Sequence, residues 1–281
     1  MNRRASETKK AGVMGWPVDH SRSPALHGFW LKTYGIDGSY ERLPVKPEDL
    51  AKALRDLPAK GFAGVNLTVP HKEAALALSQ PDERAQAVGA ANTLWLDGGA
   101  LKSTNTDVEG FLANLDASAP GWDKGRTALV LGAGGSARAV VFGLRERGME
   151  KIHVANRTIE RAQALRDRFG ERVMPVTWDA VPGLMASANL LVNTTSLGMK
   201  GQPPLDIDIS GLRGDAVVAD LVYVPLVTPL LAAARARGLP TADGLGMLLH
   251  QAVRGFSLWF GVKPAVTPEL RKRVEDDLLR S

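Results

Sequence analysis

The chain has 281 residues, of which 44% are hydrophobic and 23% charged, with no cysteine and a formal net charge of +5. That length exceeds one ordinary hydrophobic core and calls for two domains, while the absence of cysteine excludes disulfides, thiolate metal sites and thiol nucleophiles and accords with a reducing cytoplasm. The positive excess gathers at Arg3, Arg4, Lys9 and Lys10 against only Glu7, which reads as a short disordered arm and not as a nucleic-acid surface.

No apolar run nears the ~18 residues of a membrane helix, and the N-terminal stretch lacks the apolar core of a signal peptide. In chain order, 13–15 reads as a strand, 25–34 as a helix, 39–45 as a strand, 48–57 as a helix and 64–68 as a strand. Such alternation argues for βαβ units and a largely parallel sheet. Residues 93–96 and 100–101, joined by Asp97-Gly98-Gly99, read as a hairpin at the edge of that sheet. The Ala-, Ser-, Pro- and Gly-rich stretch 117–125 breaks the pattern and marks a domain boundary. Alternation then resumes, with strands at 127–131 and 152–155 around a helix at 136–145, and further strands at 190–193 and 217–221. Helices at 247–260 and 268–279 close the chain.

Gly132-Ala133-Gly134-Gly135-Ser136-Ala137 fits G-x-G-x-x-A between a strand and a helix. In that context Gly132 permits the tight turn, Gly134 admits a pyrophosphate and the helix N-terminus supplies N–H donors. After the next strand, where an acidic residue would favour NAD, stand Asn156-Arg157-Thr158 and, one turn on, Arg161. A guanidinium suits a 2′-phosphate and a carboxylate repels one, so the expected cofactor is NADP.

A second group of motifs lies earlier. Ser21 and Ser23 precede Pro24 at the start of a helix, where they form either a neutral cradle for a carboxylate or, for Ser23 alone, an N-cap. Lys72, after Thr68-Val69-Pro70-His71, is expected in the first turn of a helix. There the macrodipole and desolvation both disfavour the ammonium and poise it for acid–base work. Asn92 and Asp107 have structural readings as a turn residue and a helix cap. Gln251 sits among apolar residues of the tail helix and needs partners. The histidines show no metal-ligand spacing, and no metal is called for.

Taken in order from Gly15 to about Gly261, these motifs resemble the shikimate dehydrogenase family. The resemblance implies an α/β fold with an N-terminal substrate domain, a Rossmann-like NADP domain and an active site in the interdomain cleft. Residues 1–114 would form the substrate domain, 247–281 would return to it as C-terminal helices, and 115–246 would bind NADP. It implies NADPH-dependent, reversible reduction of 3-dehydroshikimate to shikimate, with Lys72 catalytic and Asp107 its carboxylate partner. Ser21 and Ser23 would hold the substrate carboxylate. Thr68, Asn92, Asp107, Tyr223 and Gln251 would hold its hydroxyls. Gly132, Ala133, Gly134, Gly135, Ser136, Asn156, Arg157, Thr158, Arg161, Leu221 and Gly244 would hold the cofactor, with Glu83 a further position on the cofactor side. The run Asn193–Met199 matches a family motif near the nicotinamide.

The chain would act on small molecules without nucleic acid or membrane, as a cytoplasmic monomer or homodimer. Gly28 departs from the family, which has asparagine after the histidine of Ser-Pro-x-x-His. Glycine in a helix costs up to ~1 kcal/mol. Three rivals remain: a quinate or dual quinate/shikimate dehydrogenase, a glutamyl-tRNA reductase, which would need a cysteine, and a catalytically silent NADP-binding regulator.

Overall fold

The computed structural model describes residues 8–280. Arg3 and Arg4 of the expected basic arm lie outside them, whereas Lys9 and Lys10 open the first strand. The chain forms two compact units, one from the stretch up to Thr106 together with the stretch from Gln251, the other from Asp107–His250. The stretch 117–125 lies inside the second unit, where Trp122 is buried in the core.

The first unit contains β1 (Lys9–Gly15), α1 (Ser23–Thr33), β2 (Gly38–Pro44), α2 (Leu50–Arg55), β3 (Phe62–Leu67), β4 (Gln80–Pro81), α3 (Glu83–Val88), β5 (Thr93–Asp97) and β6 (Ala100–Thr104). Its sheet has the order β2-β1-β3-β5-β6-β4. Strands β1, β2 and β3 are parallel, while β5 runs antiparallel to β3 and β6. The expected hairpin β5–β6 is therefore not the edge, because the two-residue β4 pairs with β6 outside it. One face of the sheet is covered by Leu50, Leu54 and Leu57 packed on Met14, Val65 and Leu94.

Helix α1 buries Leu26, His27, Trp30 and Leu31, a spacing that puts one stripe against the sheet. Its cap is Arg22, without a side-chain hydrogen bond, and Ser23 is already its first residue. Ser23 is therefore no N-cap. Gly28 is exposed on this helix, and a Cβ there would meet nothing within 4 Å. The departure from the family leaves local packing undisturbed.

The second unit contains α4 (Asp107–Ser118), β7 (Thr127–Leu131), α5 (Gly135–Glu146), β8 (Lys151–Ala155), α6 (Ile159–Phe169), β9 (Val173–Val176), α7 (Val181–Leu184), β10 (Leu190–Asn193), β11 (Val217–Asp220), α8 (Pro229–Ala236) and β12 (Thr241–Ala242). Its sheet is wholly parallel, in the order β12-β11-β10-β7-β8-β9. From its first strand outward this is the doubly wound order of dinucleotide-binding folds, with the switch between β7 and β10. Apolar clusters flank it on both faces, one including Val130, Val140, Leu144 and Val154, the other Leu129, Leu131, Leu191 and Val218. Near-continuous burial of these strands is what a parallel sheet covered on both sides requires.

Helix α9 (Gly244–Phe260) begins in the second unit and ends in the first, and α10 (Pro268–Leu279) follows it there. Within the first unit, Trp259 Nε1 donates to the Leu94 carbonyl at 2.8 Å. Gly64 makes room for that indole, since a Cβ at residue 64 would overlap both partners. Thr267 caps α10 by accepting from Leu270 N at 3.3 Å, and Leu270 and Val274 are buried. No helix among the described residues is long and apolar enough to cross a membrane.

Candidate active site

In the first unit the sequence-selected residues gather where β1 and β3 end and β5 begins. Loops beyond the carboxyl ends of parallel strands are where open α/β sheets bind ligands. Ser21 follows β1, its N–H bonded to the Val18 carbonyl at 3.0 Å, and its Oγ accepts from Ser23 N at 3.4 Å. Ser23 is buried and its hydroxyl hydrogen-bonds to Tyr40. Burial pushes the Tyr40 phenol up, against an opposing pull from Ser23. Tyr40 donates to Asn66 Oδ1 at 2.6 Å, and Asn66 Nδ2 donates to the Asn92 carbonyl at 3.1 Å and to Thr93 Oγ1 at 3.0 Å.

From Thr93 the chain of contacts runs to Thr106 Oγ1 at 3.1 Å, and Thr106 donates to Gln251 Oε1 at 3.3 Å. Asn92 Oδ1 accepts from Thr106 N at 2.8 Å, which fixes its carbonyl side. Three of the selected residues, Ser23, Asn92 and Gln251, are thus joined by buried Tyr40, Asn66, Thr93 and Thr106. Those four connecting residues were not selected from sequence. Asn66 had left a signal, a lone amide in the otherwise apolar strand Val65-Asn66-Leu67.

Thr68 and Lys72 are held by backbone. Thr68 N donates to the Met14 carbonyl at 2.9 Å, and the Lys72 carbonyl accepts from Ala91 N at 2.8 Å, one residue from Asn92. His71 between them is buried, with Nε2 2.8 Å from the Val45 carbonyl. Lys72 lies in a run of turns ahead of a 3-10 turn at Ala74–Leu76, not in the first turn of a helix. The expected macrodipole effect therefore has no helix to produce it. The turns that follow Pro70 tie Lys72 to the neighbouring strand ends instead. Glu83 opens the short α3, exposed, beside Asp82, which caps that helix through Ala85 N at 2.9 Å. The Ser23–Gln251 chain of contacts does not include it.

In the second unit, Gly132 has φ of 100°, and a Cβ there would stand 2.8 Å from Thr194 and Thr195. Only glycine suits that turn. Thr194 in turn bonds the Leu131 carbonyl through its N–H at 2.9 Å and its hydroxyl at 2.7 Å. The Asn193–Met199 run therefore lies against the glycine turn at the switch between β7 and β10. Gly134, in extended conformation, caps α5, and Gly134, Gly135 and Ser136 are exposed. A Cβ built at Gly134 meets nothing within 4 Å, so the space before this helix N-terminus is open, as a pyrophosphate requires.

At the end of β8, Asn156 Nδ2 donates to the Thr158 carbonyl at 2.8 Å, and that carbonyl also accepts from Arg161 N at 3.1 Å. Arg157 and Arg161 are exposed, and Asn156-Arg157-Thr158 puts no carboxylate directly at the strand end. These residues fit a dinucleotide bearing a 2′-phosphate. Leu221 N donates to the Asn193 carbonyl at 3.0 Å, and a Cβ at Gly244 would overlap the Leu221 carbonyl, so these two positions meet. Asp107 is the first residue of α4 and half-buried, as is Tyr223 just after β11.

Comparison with known proteins agrees along the chain. Residues 13–94 match the shikimate dehydrogenase substrate binding domain, 118–199 the shikimate / quinate 5-dehydrogenase family and 244–270 the shikimate 5′-dehydrogenase C-terminal domain. The chain is 65% identical over 274 residues to a shikimate dehydrogenase (NADP(+)) of Rhodopseudomonas palustris strain TIE-1, covering 98% of this chain and 99% of the relative. Its structure is similar to that of shikimate 5-dehydrogenase from Thermus thermophilus in complex with NADP(H) and shikimate, with a TM-score of 0.85, 40% identity and coverage of 96% and 99%. It is also similar to quinate dehydrogenase from Corynebacterium glutamicum in complex with NAD, with a TM-score of 0.89, 34% identity and coverage of 96% and 99%. An identity of 65% over almost the whole of both chains decides the matter: this chain belongs to the shikimate dehydrogenase family.

Proposed function

We propose that the chain catalyses the reversible, NADPH-dependent reduction of 3-dehydroshikimate to shikimate, in the route to chorismate and the aromatic amino acids. The observation that carries this reading is the buried chain of hydroxyls and amides from Ser23 to Gln251. Hydroxyls and amides that hold one another in fixed orientation are the donors and acceptors that a small polyhydroxylated acid needs.

When bound, NADPH supplies the hydride that reduces the ring ketone. Gly132–Ser136, Asn156–Thr158, Arg161, Leu221 and Gly244 would hold it, with Glu83 on the cofactor side. Lys72 polarises the ketone and gives its ammonium proton to the developing alkoxide, and Asp107 holds the ammonium and a ring hydroxyl. Ser21 and Ser23 receive the carboxylate, while Thr68, Asn92, Tyr223 and Gln251 orient the hydroxyls. The stretch up to Thr106 with the C-terminal return is the substrate-binding part, and the unit from Asp107 the cofactor-binding part. Arg157 favours NADP over NAD, which argues against an NAD-dependent quinate enzyme. The chain works in the cytoplasm as a monomer or homodimer, which light scattering and cell fractionation measure.

The test is NADP reduction with shikimate and with quinate side by side, in the parent and in Lys72→Ala. Shikimate should be the better substrate, and Lys72→Ala should lower kcat by roughly 10²–10⁴-fold with a smaller change in KM. Near-normal turnover in the folded variant would remove Lys72 from the mechanism, and a preference for quinate would move the reading to a quinate dehydrogenase.

A further inference from the structure

Asp220 is the one carboxylate among the described residues that is buried almost completely, with 1% of its surface exposed, and the mechanism above gives it no task. It ends β11 opposite Asn193, which ends β10. Its Oδ1 accepts from Asn193 Nδ2 at 2.9 Å and from Val222 N at 3.0 Å, and its Oδ2 from Thr228 Oγ1 at 2.7 Å. All three donors are neutral, and burial pushes the carboxyl up while these donors pull it down. Keeping a carboxyl in such a place is costly, and an aliphatic side chain would finish a buried strand at less expense. What the carboxyl adds is direction, because it reaches three segments at once.

Each segment leads to a position already described. Asn193 Oδ1 accepts from Thr195 N at 3.0 Å and Thr195 Oγ1 at 2.7 Å, which shapes the loop lying against the Gly132 turn. Val222 stands between Leu221 and Tyr223. Thr228 caps α8, accepting from Leu231 N at 3.3 Å with the same hydroxyl that serves Asp220. On its other side the Leu221–Val222 backbone abuts Gly244, where a Cβ would overlap both carbonyls. The segment is thus clamped between a carboxylate and a glycine.

We infer that Asp220 is a positioning residue that holds Leu221–Tyr223 and the Asn193–Leu197 loop in one fixed arrangement, from which cofactor and substrate are met. The inference rests on the assignment of Leu221 to the cofactor and Tyr223 to the substrate made above.

Asp220→Ala removes the common acceptor and should lower kcat/KM for shikimate by roughly 10- to 100-fold, chiefly through KM, and raise KM for NADP as well. Asp220→Asn should recover most of the loss. Its amide oxygen can accept from Asn193 and Val222 while its amide nitrogen donates to Thr228. A lower Tm in Asp220→Ala with unchanged KM values would overturn the inference, since a purely structural residue acts on stability alone. Should Asp220→Ala not fold, Thr228→Val decides: it deletes one donor to Asp220, together with the cap of α8, and leaves β11 whole. A KM for shikimate raised about two- to tenfold supports the inference, and an unchanged one overturns it.

Tyr223→Phe, assayed in parallel, separates the two assignments. A raised KM in Tyr223→Phe with none in Asp220→Ala rejects the positioning role alone. No change in either rejects the role of Tyr223 and the inference with it.

Discussion

Ser23 has one hydroxyl proton and two acceptors to compete for it. The Asn92 carbonyl can only accept, so Asn66 must face it with its NH₂ and turn its oxygen to Tyr40. The Tyr40 proton is spent on that oxygen, which leaves the phenol to accept from Ser23. An arriving carboxylate would draw the same proton away from Tyr40. Because Ser23 does not cap α1, the stability loss expected of a cap deletion does not apply to it. Ser21→Ala and Ser23→Ala should each raise KM for shikimate by roughly ten- to a hundredfold, the scale of a hydrogen bond to a charged group. Turnover should fall less, because a carboxylate remote from the reacting carbon binds alike in ground and transition states. Steady-state kinetics on both variants measure this, and an unchanged KM in Ser21→Ala would dismantle the cradle. Residue types were legible here, and the order of their contacts was not. Tyr40, Asn66 and Thr106 come from separate elements, and no spacing along the chain announces that they touch. For Lys72 the residue stood out and its local conformation was misjudged.

Among the elements, α1 shows how a polar residue can be carried into a core. His27 is fully buried, stacked on Tyr40 with ring centroids 4.0 Å apart and edge-on to Trp30 at 5.6 Å. Phe256 and Trp259 of α9 complete the enclosure at 5.9 and 5.6 Å. Neither ring nitrogen has a hydrogen-bond partner within normal distance. Burial lowers its pKa from 6.5 to about 3, against an opposing pull from the Asn66 side chain. The unfolded chain therefore binds a proton that the folded chain refuses between about pH 6.5 and 3. Stability from this residue is present above 6.5 and is lost on acidification, at about 1.4 kcal/mol per pH unit. Between about pH 7 and 5 the parent should lose ~2 kcal/mol more than His27→Phe in urea unfolding. Equal losses in the two proteins would contradict a neutral buried imidazole. The long elements were readable because helical apolar periods and continuous apolar strand runs persist in them. The pairs Gln80–Pro81 and Thr241–Ala242 were not readable, since two residues carry no period and become strands only by lying beside β6 and β11.

At the scale of the whole chain, alternation of strands and helices announced two α/β sheets, and both are present. The dinucleotide order of the second sheet could be expected from the glycine turn, since that turn and the order occur together. The division points were less visible. The compact units part at Thr106 and Asp107 and again at His250 and Gln251, and the second of these falls within the unbroken helix α9. Composition marks flexible linkers, and a helix that continues through a boundary has none. That the final helices belong with the first strands came from family resemblance alone, because apolar periodicity says which face is buried and not against what.

The return of the chain to its own beginning also sets a timetable for synthesis. Sheet β2-β1-β3-β5-β6-β4 leaves the ribosome early, yet the Leu94 carbonyl waits for Trp259 and the His27 ring for Phe256, which are made more than a hundred residues later. Asp107–His250, which carries its own apolar clusters, has everything it needs before translation ends. Domains usually fold in the order they emerge, and here the middle should mature before the start. Nascent chains arrested once residue 250 is clear of the ribosome should hold a protease-resistant second unit behind a protease-sensitive first stretch. Resistance of residues 8–106 at that stage would show that the opening sheet closes unaided. Until the last two helices arrive, the aromatic face of that sheet is open to water, and in that interval the cell's chaperones would have most to hold.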